Sequence, residues 1–175
     1  MALIVEDGSL PAGANAAVTV AEVDAFAADN TMTEGVADWV GATIPSKEAA
    51  IRAATRYLAG LRWRGAARGR LAFPRSGCTE LNGPAIGDTE IPWRYQEAAC
   101  MLTLKALSGP LLEDTATGIR SVKAGPVDVE FEPGQGAGTE FTEVLSLLRP
   151  LLQSGGDLVT APIFGRPVPL PPDVF

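Results

Sequence analysis

Residues 92–107 read Pro-Trp-Arg-Tyr-Gln-Glu-Ala-Ala-Cys-Met-Leu-Thr-Leu-Lys-Ala-Leu. Proline has no N–H to lose at a first helical position, so Pro92 marks a start, and Gly109-Pro110 marks a stop. The second half of this helix, from Ala98 onward, is apolar almost all round. Such a helix belongs at the centre of a bundle or between subunits, because any face left in water would be apolar. The chain is therefore expected to be mainly α, with the other elements arranged around this one.

Working outward, Thr19 and Glu22 form a capping box ahead of Val20, Val23, Phe26 and Ala27, and Asn30 ends that helix. Residues 33–40, with Val36, Trp39 and Val40, hold a further short helical turn. Ser46 is the expected N-cap of a helix over Lys47–Ala59, with Ile51, Ala54, Leu58 and Leu61 on its apolar stripe and Gly60 as its stop. Downstream, residues 119–132 alternate around Gly125-Pro126 and read as a β-hairpin, its ladder short or bulged because Pro126 cannot donate. Thr139 caps a last helix to about Gln153, with Phe141, Val144, Leu145, Leu148 and Leu152 on its core face. The expected architecture is a small bundle of about four helices over residues 1–153, with a hairpin insertion, a long central loop and extended arms at both ends. Residues 154–175, rich in proline, form the C-terminal arm.

Composition narrows the chemistry. The 175 residues include 46% apolar side chains, enough for a core, and 21 acids against 14 bases, for a net charge of −7. That balance disfavours a general nucleic-acid coat. Histidine is absent, which removes triads, histidine bases and histidine metal ligands. The two cysteines, Cys78 and Cys100, are too few for a disulfide framework or a zinc site, and Cys100 reads as a small buried hydrophobe. The apolar start, Met1 to Val5, is shorter than a signal peptide requires, and no run of residues is long enough to span a bilayer, so a cytoplasmic site of synthesis is expected. Glu6/Asp7 and Glu113/Asp114 read as solvated turn residues. Gly134-Gln-Gly-Ala-Gly138 lacks the spacing and the terminal Lys-Ser/Thr of a phosphate loop. No metal, cofactor or catalytic residue is expected.

Two features invite a partner. Residues 61–91 lose all period and gain glycines and prolines, a long structureless connection of the kind that tends to carry function. Overlapping it, residues 52–79 hold seven of the fourteen bases and no acid: Arg52, Arg56, Arg62, Arg64, Arg68, Arg70 and Arg75. Guanidinium groups suit carboxylates and phosphates, and Trp63 between Arg62 and Arg64 would suit stacking on a base. Three readings stay open for this window: a solvated loop, a contact with an acidic protein surface, or a contact with nucleic acid. On the hairpin, Asp128, Glu130 and Glu132 alternate with Val127, Val129 and Phe131. They read as the wet face of a half-buried strand, or as an acidic surface that lets DNA slide past.

The opening Met1-Ala-Leu-Ile-Val-Glu-Asp-Gly8, Val18-Thr-Val-Ala-Glu-Val-Asp-Ala-Phe26, Arg62-Trp-Arg-Gly65, Phe73-Pro-Arg-Ser-Gly77, and Val122-Lys123 running into Gly125-Pro-Val-Asp-Val-Glu-Phe131, taken in that order, resemble a group of tailed-bacteriophage proteins. These are labelled DnaT-like single-stranded-DNA-binding proteins and look in layout like head-tail connector adaptors. The resemblance implies a non-enzymatic virion protein of the phage neck, made in the host cytoplasm and assembled with itself as a ring, a dodecamer. The ring would bridge the portal protein and the next connector or tail-terminator protein, and DNA would pass through it without specific recognition. On this reading Arg62, Trp63, Arg64, Arg68, Arg70 and Arg75 contact a neighbouring subunit or the portal. Pro162, Phe164, Pro169 and Phe175 belong to a docking arm, and Asp128, Glu130 and Glu132 face the channel. The alternative is an accessory protein that binds single-stranded DNA through the Arg-rich segment 52–75, with Trp63. No membrane partner is implied.

Overall fold

The computed structural model describes residues 2–111, 121–124, 127–130 and 141–153. The fold is mainly α: five helices and two short antiparallel pairs among the described residues. Helix α1 (Val20–Asp29) starts as its residues dictate: Thr19 accepts the Glu22 N–H at 3.1 Å, and the Glu22 carboxylate accepts the Thr19 N–H at 2.6 Å. Asn30 closes it by donating its N–H to Phe26 O at 3.0 Å. The turn expected over residues 33–40 is helix α2 (Val36–Gly41). Its N-cap, Gly35, has φ +88°, and a Cβ there would lie 2.5 Å from Leu104 O. Only glycine allows both that backbone and that approach.

Helix α3 (Ile44–Ala59) begins earlier than its expected Ser46 cap. Thr43 is the N-cap instead, accepting the Ser46 N–H at 3.4 Å, and Pro45 lies in the first turn, where its fixed φ is already helical. Ile51, Ala54 and Leu58 are buried as expected, and Gly60 ends the helix.

Helix α4 (Trp93–Ser108) is the centre of the bundle. Pro92 stands just outside it as N-cap, and every residue from Ala98 to Leu104 is buried. It packs against α1, α2 and α3 and against α5 (Thr142–Leu148). The apolar circumference of α4 is thus consumed within the chain. Helix α5 is shorter than expected: Phe141 caps it and it ends at Leu148, with Arg149 still in the α region as its C-cap and Pro150, which has no N–H to donate, unable to extend the helical ladder. Val144 and Leu148 carry its core face, and Leu151, just beyond it, is buried as well. The Thr139 cap lies outside the described residues.

Residues 61–91 are not structureless. Strand β1 (Ala66–Ala67) pairs antiparallel with β2 (Arg75–Ser76), and Thr79 bridges Ala85. Leu71, Phe73, Cys78 and Ile86 are buried. Phe73 forms an aromatic cluster with Trp63 and Tyr95, ring centroids 5.0–5.5 Å apart. The N-terminal segment is also tied to the body. Val5 pairs with Ala16, and Ala17 donates its N–H to Thr55 Oγ1 at 3.0 Å. Glu6, expected in water, is buried at 4% exposure. Its Oε1 accepts the N–H groups of Gly8 and Leu10, both at 3.0 Å, which satisfies the carboxylate.

The hairpin consists of β3 (Ser121–Ala124) and β4 (Val127–Glu130), paired from Ala124↔Val127 to Ser121↔Glu130. Its ladder is four successive pairs without a bulge, the short form of the two expected from Pro126. Gly125-Pro126, Glu132 and the whole 154–175 arm, with Pro162, Phe164, Pro169 and Phe175, lie outside the described residues. No helix among the described residues is long and apolar enough to cross a membrane.

Candidate functional site

The arginine window is a built surface rather than a string of solvated cations. A short ladder joins it to the end of α5. Arg64 N–H donates to Leu151 O at 3.1 Å, Gln153 N–H donates to Arg62 O at 3.0 Å, and Trp63 pairs antiparallel with Leu152. Three of the arginines are used to hold the loop in shape. Arg75 donates from Nε to Arg64 O at 2.6 Å, from Nη1 to Ala72 O at 3.1 Å and from Nη2 to Gly65 O at 2.5 Å. The planar guanidinium fork suits several carbonyls at once, which an ammonium could not match. Burial lowers its pKa from the usual guanidinium value. Arg64 Nε donates to Leu152 O at 2.9 Å, and Arg68 Nη1 donates to Asp88 O at 2.9 Å.

Trp63 does not offer a ring to a base. It is 6% exposed, its Nε1 donates to Leu58 O at 2.9 Å, and Phe73 and Tyr95 meet it edge to face. The expectation of a stacking platform at Trp63 is corrected on that ground: the tryptophan is core, and it anchors the loop on which the arginines stand. Among the described residues, the large aromatic left in water is Trp93, 57% exposed, with the Arg94 guanidinium 4.5 Å from its ring centroid and Arg94 Nε 3.5 Å from Glu80 Oε1.

Four of the expected contact residues meet around one open cleft of about 490 Å³. Arg62, Trp63, Arg70 and Arg75 line it together with Leu61, Leu71 and Gln153. Arg62 and Arg70 are exposed, and neither has a hydrogen-bond or ion-pair partner among the described residues. Arg64 and Arg68 stand apart from the cleft, occupied by carbonyls. The apolar floor from Leu71 and the contribution of Gln153 were invisible in sequence, because both depend on contacts between distant stretches. The acidic candidates of the hairpin take register positions on β4, Asp128 opposite Lys123 and Glu130 opposite Ser121. Among the described residues no group of three or more acids and cysteines is placed to hold a metal.

Small helical bundles with an arginine-bearing loop form a broad class, and the sequence comparison narrows it. Residues 1–164 match the model of a family described as "Putative DnaT-like ssDNA binding protein", and the chain belongs to that family. No curated protein and no solved structure matches it.

Proposed function

We propose that this protein is a structural adaptor of the tailed-phage neck. It works by forming a ring around the DNA channel and docking between the portal and the next connector or tail-terminator protein, with no catalytic role. The observation that carries this reading is the way the arginine window is spent. Trp63 is buried and Arg64, Arg68 and Arg75 are committed to backbone carbonyls, so the window is a rigid ledge presenting Arg62 and Arg70 beside apolar walls. A nucleic-acid groove needs a run of free cations with aromatic faces between them, whereas two free guanidiniums over an apolar cleft suit an acidic, partly apolar protein surface. Met32, Val40 and Ile44, between 58% and 97% exposed, add further apolar side chains for contact with neighbours. The motif resemblance to connector adaptors supports the same assignment.

The second reading, an accessory protein for single-stranded DNA, is favoured by the description of the matched family and by the exposure of Arg62, Arg68 and Arg70. Cryo-EM of purified virions, with the chain identified by mass spectrometry, separates the two. The adaptor reading expects a ring of this chain directly beneath the portal and weak affinity for free oligonucleotides. Absence from virions, together with oligonucleotide binding that weakens steeply with salt, would overturn it.

A further inference from the structure

The cleft lies where the C-terminal arm begins. Gln153, which lines it, is fixed by its N–H to Arg62 O at 3.0 Å, so the chain is delivered to the lip of the cleft with a defined direction. We infer that the cleft is the seat of the chain's own segment 157–164, Asp-Leu-Val-Thr-Ala-Pro-Ile-Phe.

Three observations converge on this occupant. The first is reach: four residues beyond Gln153 stands Asp157, within about 13 Å of extended chain, so its carboxylate can meet either free guanidinium on the rim. The second is chemistry. The cleft pairs apolar Leu61 and Leu71 with the unpartnered cations of Arg62 and Arg70. The segment answers with one acid, no base, and the apolar side chains of Leu158, Val159, Ile163 and Phe164. The volume, about 490 Å³, takes a few side chains of a peptide rather than a folded partner. The third is the extent of the family match. It runs to residue 164 and leaves 165–175 outside, so the segment in question falls within the shared part of the chain. The tether also helps: a short link to the cleft raises the local concentration of the segment to roughly millimolar, which makes weak contacts sufficient.

The neck assignment gives the same two guanidiniums to a neighbour, so the segment would hold the cleft in the free chain and yield it on docking. The test reads the free chain and is separate from that of the neck assignment. Phe164 is replaced by the photo-crosslinker p-benzoyl-phenylalanine in the full chain, which is irradiated as a mixture of isotopically light and heavy protein and mapped by peptide mass spectrometry. The expected result is light–light and heavy–heavy adducts to residues 59–72, with no mixed pairs. Mixed pairs would assign the cleft to the arm of a second copy and overturn the inference, as would adducts elsewhere or none above background. With the crosslinker in place, the pair Arg62→Glu and Arg70→Glu should lower the cleft adduct about threefold, the scale of an exposed ion pair. Adding Asp157→Arg should restore the yield. If the charge reversal leaves the adduct unchanged while circular dichroism reports a native fold, the arginine rim does not hold the segment and the inference fails.

Discussion

Arg75 and Arg62 carry the same side chain into opposite uses. Arg75 is a strut among the carbonyls of Arg64, Gly65 and Ala72, while Arg62 is exposed at the cleft rim. Arg75→Lys keeps the charge but loses the fork, and should cost about 2 kcal/mol in urea unfolding. Arg62→Ala should stay within about 0.5 kcal/mol of the parent, as exposed substitutions do. The two cysteines make a second test. Burial pushes the Cys100 thiol up to about 12, helped by the charges of Glu22 and Glu97. Burial likewise raises Cys78, against the pull of Arg75 and Arg64. Thiolate is the reactive form, so neither cysteine should react with a thiol reagent at neutral pH until the chain unfolds, and both should then label. At this scale the sequence was legible where a residue acts on its near neighbours and opaque where it acts across the fold. The Thr19–Glu22 cap could be read directly. The burial of Trp63 could not, because Phe73 and Tyr95 reach it only through the folded loop.

The elements are held by their contacts with α4 and by a few joints between helices. Leu102 is fully buried in α4, and Leu102→Ala should cost about 3 kcal/mol through lost burial and the cavity left behind. Gly35→Ala should cost about 2 kcal/mol or more, since the residue sits at positive φ and its new methyl would meet Leu104 O. Both are measured by chemical denaturation. Asp24 of α1 joins three helices: its Oδ1 accepts Trp39 Nε1 of α2 at 2.7 Å and Lys47 Nζ of α3 at 2.8 Å. The hydrogen bond from Lys47, followed by that from Trp39, holds the Asp24 carboxyl below the usual value against its desolvation. A carboxyl lowered in the folded state stabilises the fold above its unfolded pKa, and that contribution fades as pH falls through the folded value. The melting temperatures of the parent and Asp24→Asn should therefore differ at neutral pH, and the difference should shrink as pH falls below the usual carboxylate range. Period, caps and stops placed α1, α3 and α4 from sequence, because those signals are local. The start of α3 moved to Thr43 because two capping residues compete there. The buried residues of 61–91 escaped notice because an irregular loop has no period to reveal which side chains turn inward.

For the whole molecule, seven bases concentrated in one window leave seven bases against twenty-one acids elsewhere. A molecule so divided can attract its own copies head to tail, and that attraction should weaken with salt as exposed charges are screened. Sedimentation at rising chain concentration should show association in low salt that Arg62→Glu with Arg70→Glu diminishes. The mainly helical class was legible from the apolar girth of residues 98–107. The cleft was not, since its walls come from both the loop and Gln153, about ninety residues further along the chain.

The ladder between residues 62–64 and 151–153 has a consequence for how the chain is born. Synthesis delivers α3 and α4 well before their last partner, yet Arg64 waits for Leu151, and the α4 flank waits for Val144 and Leu148 of α5. Domains mature during translation only when their pieces have emerged. Completion of this body is therefore timed by the end of the ribosome's passage through the message, and a chain halted between residues 112 and 140 would leave that flank bare for chaperones to find.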